Sequence, residues 1–159
     1  MIIPEKFYQE IISVMPIPCV DLLVVDKTGK ILLLKRKNEP EKGKWWFPGG
    51  RVHFGETRQA ADIRKLKEEC GLVAENVTEV GTYDVILDMP NMKGQSHGIT
   101  TLFFAHVATD SPIVLDAQSL EADWQTLEAW MKERLHSFIR NNLAKTHRKD
   151  DKQCPRAIK

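Results

Sequence analysis

The chain has 159 residues, 42% hydrophobic and 28% charged, which suits one domain with a buried core. Its 23 basic and 22 acidic residues leave a net charge of +1, so no long-range field favours nucleic acid or an anionic membrane, and a polyanion must be recognised by a local site. Three scattered cysteines, Cys19, Cys70 and Cys154, argue against a disulfide framework and show no Cys/His spacing of the zinc-binding kind. The start, Met1 to Lys6, lacks a basic region followed by a long apolar one, and the longest apolar runs fall far short of a membrane span. The expectation is a cytoplasmic protein with neither membrane nor nucleic acid as partner; a homodimer stays open.

In chain order, Pro4 opens a short helix to about Val14, striped by Phe7, Ile11 and Ile12 and stopped by Pro16 and Pro18. Cys19 to Val25 and Ile31 to Arg36 read as strands joined by the turn Asp26-Lys27-Thr28-Gly29-Lys30. Asn38 to Lys44 is a loop, and Trp45-Trp46-Phe47 a short strand ending at Pro48-Gly49-Gly50. Thr57 to Cys70 makes one helix, with Ala60, Ile63, Leu66 and Cys70 on its expected buried stripe and Gly71 as its stop. Val77 to Leu87 and Ile99 to Val107 are two more strands, separated by Asp88 to Gly98, a loop about the length of an active-site flap. Ala122 to Gln125 adds a short strand. Thr126 then caps a helix to about Leu143, striped by Leu127, Trp130, Met131, Leu135, Phe138 and Ile139. Interleaved strands and helices predict an α/β fold: one domain over residues 1–145 and a polar tail over 146–159, an α/β/α sandwich on a mixed sheet.

One spacing carries chemistry. Gly50 is followed after five residues by Glu56, and after seven more by Arg64-Lys65-Leu66-Lys67-Glu68-Glu69-Cys70-Gly71-Leu72. Helical residues four apart share a face, so Arg64 sits beside Glu68 and Lys65 beside Glu69. Gly49-Gly50 lets the backbone come close to a bound ion. This spacing resembles the Nudix box at eight of its nine specified positions; the ninth, the first clustered Glu, is Lys65 here. The resemblance implies the Nudix sandwich and hydrolysis of a diphosphate, whose charges need a divalent cation before a nucleophile approaches. It makes Gly50, Glu69 and Glu68 ligands of Mg2+, with Mn2+ as substitute, and Arg64 an orienting residue paired with Glu56, with an ordinary helix salt bridge as the alternative. With Lys65 in place of a carboxylate, a single metal ion is expected.

The N-terminal half further resembles the GDP-mannose mannosyl hydrolase branch of that family. The shared features are the first helix, Pro16 to Asp21, Leu32-Leu33-x-Lys35-Arg36, and Trp46-Phe47 followed by Pro48-Gly49-Gly50-Arg51-Val52 with one local shift. The branch implies that Arg36 and Arg51 hold the diphosphate, that Tyr8 lies near the nucleotide, and that Gln118, six residues before Trp124, is a third metal ligand. Its base histidine is Ser119 here, and serine needs help to act as a base at neutral pH. Glu121, Asp123 and His97 are the substitutes the sequence offers. His53 can reach a phosphate, and Trp45 and Trp46 read either as base-stacking or as strand packing. The substrate expected is a small nucleotide: first a nucleotide sugar, alternatively a nucleoside triphosphate. A third reading is a module that binds a nucleotide sugar or ADP-ribose without turning it over.

Overall fold

The computed structural model of the chain describes residues 3–90, 94–108 and 112–150. Its elements are α1 (Glu5–Val14), β1 (Ile17–Asp26), β2 (Ile31–Arg36), β3 (Trp45–Trp46), β4 (Gly49–Arg51), α2 (Arg58–Cys70), β5 (Ala74–Asp88), β6 (Gln95–Val107), β7 (Ser119–Gln125), α3 (Leu127–Trp130) and α4 (Ser137–Asp150). β1 organises them because it is apolar on both faces, as a strand covered on both sides has to be: Leu22 and Val24 enter one core and Leu23 the other. β6 runs parallel to β1 from Ile17↔Gly98 to Asp26↔Val107, while β5 pairs antiparallel with β6 at the sheet edge. The result is a seven-stranded mixed sheet. α2 covers one face through Leu66 and Cys70, and α3 and α4 cover the other through Trp130, Ile139 and Leu143. The α/β/α sandwich expected from the interleaved elements is the observed fold.

The sheet forks, and the fork positions the site. β1 and β2 pair at Val24↔Leu32 and Val25↔Ile31, next to their turn. Beyond that, β1 pairs with β4 through Cys19, Val20 and Asp21, whereas β2 pairs with β3 through Leu34 and Lys35. Pro48, in the link from β3 to β4, accepts a hydrogen bond from the Leu22 N–H at 2.8 Å, which holds the two arms together at the base.

Several expectations need correction. The flap expected over Asp88 to Gly98 is mostly a hairpin, because β5 continues to Asp88 and β6 begins at Gln95, paired to each other; residues 91–93 lie outside the described segments. The long last helix is two helices: Trp130 turns in to donate its indole N–H to the Ile31 carbonyl at 2.9 Å, and α4 restarts at Ser137 with the His136 ring accepting from the Phe138 N–H. Apolar spacing alone does not separate these. The buried stripe of α2 is also turned: Ala60 and Ile63 are exposed, while Ala61, Asp62, Lys65, Leu66, Glu69 and Cys70 are buried. α2 packs against both β1 and β4, so it buries polar residues that its apolar pattern assigns to solvent. Phe7 of α1 is likewise exposed, whereas Ile12 is buried. α4 extends to Asp150, past the start of the expected tail; residues 151–159 lie outside the described segments.

Candidate active site

A cleft of about 580 Å³ opens at the fork of the sheet, bounded by α1, α2, β4 and the hairpin of β5 and β6. It brings together Tyr8, Arg36, Gly50, Arg51, Arg64, Glu68, Glu69 and Gln118, which lie up to 110 positions apart in the chain. His53, Lys65 and Ser119 also line it.

Helix α2 fixes the centre. Its N-cap Thr57 accepts from the Ala60 N–H at 3.1 Å, and Gly71 ends it in the left-handed region at φ 69°. Two residues before that stop, Glu69 faces β4, where its Oε2 accepts from the Gly49 N–H at 2.9 Å. Its Oε1 lies 2.6 Å from Lys65 Nζ, which is also 3.7 Å from Glu68 Oε2. Burial pushes the Glu69 carboxyl above its ordinary range, against the pull of the Lys65 ammonium and the Gly49 N–H.

Arg64 ties the helix to the loop before it. Nε and Nη2 donate to the two oxygens of Glu56 at 2.7 and 2.9 Å, a bidentate fork; Nη2 also reaches the Arg51 carbonyl at 3.0 Å, and Nη1 reaches Glu68 Oε2 at 3.0 Å. The Arg64 hydrogen bonds hold the Glu56 carboxyl down at about 2. This is more than a pair along one helix, because it fixes the backbone that carries Arg51.

The other two arginines are held from behind. Arg51 lies with its guanidinium 4.0 Å from the ring centroid of Tyr8. Arg36 donates from Nε to the Pro40 carbonyl at 2.7 Å and sits 5.7 Å from the Trp46 ring centroid. Both keep donors for the cleft, since a guanidinium carries five N–H groups.

None of the three proposed bases lines the cleft. Strand alternation turns Ser96 and Gly98 inward, so His97 points away, with Nε2 3.0 Å from Asp84 Oδ1. Glu121 stands opposite Lys35 across β2 and β7 and pairs with its ammonium at 3.3 Å on an exposed face. Asp123, also on β7, accepts from Gln125 Nε2 and does not line the cleft either. Trp45 packs edge-on against Trp130 and Trp46 stacks on Phe138, as strand packing expects, while Trp46 also lines the cleft.

Sequence reasoning passed over Asp21. It is buried in the cleft floor, accepts from the Trp46 indole N–H at 3.3 Å, and is pushed up to about 8 by burial, with Arg36 pulling the other way. Its trace in the sequence is a lone charge inside the apolar run Cys19 to Val25. Asp62, behind the cleft, was also missed; it is fully buried, neither carboxylate oxygen has a hydrogen-bond partner, and burial and the charge of Asp21 push it up to about 8.

Oxygen donors of the kind that could hold a hard cation line the cleft. Glu68 and Glu69 carboxylates, the Gly50 carbonyl and the Gln118 amide are oxygen donors around one cleft, the set that magnesium prefers. The Lys65 ammonium between the two carboxylates shows that a positive charge is accommodated there. Among the described residues, no three His, Cys, Asp or Glu side chains group tightly enough to hold a metal by themselves.

Residues 15–146 match the family model described as the NUDIX domain. The Low-salt glycan biosynthesis protein Agl8 of Haloferax volcanii is 33% identical over 147 residues, covering 89% of this chain and 88% of its own length. An ADP-ribose pyrophosphatase of Methanocaldococcus jannaschii is 39% identical over 84 residues, 53% of this chain and 47% of that protein. Among solved structures, a MutT NUDIX hydrolase from Burkholderia pseudomallei superposes with a TM-score of 0.69 at 29% identity, covering 82% of this chain and 97% of that one.

Proposed function

The chain belongs to the Nudix hydrolase family, and from that premise we propose that it hydrolyses a nucleoside diphosphate joined to a second moiety, in the first place a nucleotide sugar. The observation that carries this reading is the convergence of Arg36 and Arg51 on a cleft that also holds Glu69. Two guanidinium forks match the oxygens of two linked phosphates, and the volume leaves room for a nucleoside and a sugar on either side.

Gly50, Glu68, Glu69 and Gln118 are the residues that would hold a divalent ion, Mg2+ with Mn2+ as substitute. When bound, that ion neutralises phosphate charge and lowers the pKa of a coordinated water. The chain's own residues do the rest. Arg36 and Arg51 bind the diphosphate, and Tyr8 fixes the Arg51 guanidinium through its ring. Arg64 positions both the Arg51 backbone and Glu68. Glu68 is the half-exposed carboxylate of the pair, with 48% of its side chain open, and is assigned to take a proton from the attacking water.

Attack at phosphorus is favoured over attack at sugar carbon by two observations. The ADP-ribose pyrophosphatase relative is named for cleavage within a diphosphate, and His97, Glu121 and Asp123 lie outside the cleft. The test is incubation of the protein and magnesium with nucleotide sugars, ADP-ribose and nucleoside triphosphates, with products identified by mass. Sugar phosphate plus nucleoside monophosphate supports the reading. Free sugar plus nucleoside diphosphate moves the attack to carbon. Tight binding without turnover replaces the hydrolase by a binding module.

A further inference from the structure

Lys65 stands where the box of the family has its first clustered glutamate, and the structure gives this lysine a definite place. Only 10% of its side chain is exposed. Its stem runs across Gly50: a Cβ on that glycine would fall 2.8 Å from Lys65 Cε and 3.3 Å from Cδ, so an added side chain there would push the stem aside. The stem delivers Nζ to 2.6 Å from Glu69 Oε1 and 3.7 Å from Glu68 Oε2. The second oxygen of Glu69 already accepts the Gly49 N–H. Glu69 is therefore both charge-balanced and hydrogen-bonded with no metal ion involved.

We propose that the Lys65 ammonium is the resident cation of this site, and that a divalent ion reaches Glu69 only by turning Lys65 out of the pair and into the cleft, where a diphosphate oxygen receives it. The proposal rests on the reading of the cleft as a diphosphate site and adds an order to its filling. An ammonium 2.6 Å from Glu69 Oε1 repels a second cation brought to the same oxygen, so metal and ammonium compete for Glu69. The displaced ammonium loses a buried partner and gains one only when phosphate is present. Metal alone thus binds weakly, and metal and diphosphate each tighten the binding of the other by the same factor. Lys65 is in this sense a positioning residue for the cation and a direct contact for the substrate.

The full chain tests this without turnover. Amine-reactive labelling, read residue by residue by mass spectrometry, should find Lys65 protected in metal-free protein while the exposed Lys67 reacts. Saturating Mn2+ without nucleotide should raise Lys65 labelling at least about fivefold and leave Lys67 unchanged, as displacement from a buried pair requires. Equal labelling of Lys65 with and without bound metal would overturn the proposal, as would reactivity like that of Lys67 in the metal-free protein. In parallel, Lys65→Met keeps the stem over Gly50 and removes the charge, and Mn2+ titration should show affinity higher by about tenfold or more. Unchanged or weaker affinity in a variant that melts like the parent refutes competition; if Lys65→Met does not fold, Lys65→Gln carries the same measurement. A wild-type chain with no measurable Mn2+ affinity, beside a variant that binds, supports the proposal. Neither readout uses products, so an inactive substrate panel would remove the hydrolase reading and leave this one to stand or fall by itself.

Discussion

The Asp62 carboxyl is buried with neither oxygen hydrogen-bonded. The unfolded chain releases that proton near 3.8, the folded one only near 8. Between those values the folded state binds more protons, so stability falls as pH rises through the window, and Asp21, also raised to about 8, acts with the same sign. Glu69 is raised too, and Asp62→Asn removes one of these three titrations. Melting curves from pH 5 to pH 8 should show a smaller loss of thermal midpoint in the variant than in the parent; an equal loss would assign the slope to Asp21 and Glu69. Glu69 gives the complementary prediction. Glu69→Gln keeps its shape and the Gly49 contact but removes its charge, and turnover should fall by about a hundredfold or more, with the magnesium requirement altered. Parent-like turnover and magnesium dependence would end the assignment. That Glu69 and Arg51 share a site was legible in the sequence, Glu69 from the fixed spacing of the box and Arg51 from the branch resemblance. Asp62 was not, since its burial depends on which face of α2 meets the sheet.

The elements were legible to the degree that their ends are set by local chemistry. Thr57 and Gly71 bracket α2 as capping rules require, because both signals act within one helical turn. Gly71 also links the helix to the site, two positions after Glu69. At φ 69° an alanine is strained by roughly 1–2 kcal/mol, and its Cβ would meet Val114 at 3.2 Å. Gly71→Ala should lower stability by about that amount in denaturant titration, and a neutral effect would mean the last turn relaxes freely. The turned face of α2 and the break between α3 and α4 were illegible for one reason. Periodicity reports where apolar residues recur, and both features depend on partners distant in sequence: Gly49 for Glu69, and Ile31 for Trp130. The flap was misread likewise, since Gln95 becomes strand only because Asp88 lies opposite.

At the scale of the molecule, the layers and the mixed sheet followed from alternating strand and helix patterns, while the fork did not. A fork needs β1 and β2 to exchange partners, and no local residue records that exchange. The fork makes the cleft a junction: Tyr8 comes from the first helix, Arg36 from β2, Glu69 from α2 and Gln118 from the approach to β7. No fragment of the chain holds a working half of it. A ligand that touches all four therefore discriminates between the whole native state and everything else, and its binding free energy is added to that of global unfolding. At a hundred times its dissociation constant, such a ligand contributes about 2.7 kcal/mol. Melting curves recorded over a nucleotide panel should thus rank candidates by affinity, including those turned over too slowly for a product assay, and the midpoint should climb with the logarithm of ligand concentration. A shift that saturates early, or one confined to local protease sensitivity, would place the ligand on a single element instead of across the junction. The geometry that divides the site among four elements thus makes its occupancy measurable as a property of the entire fold.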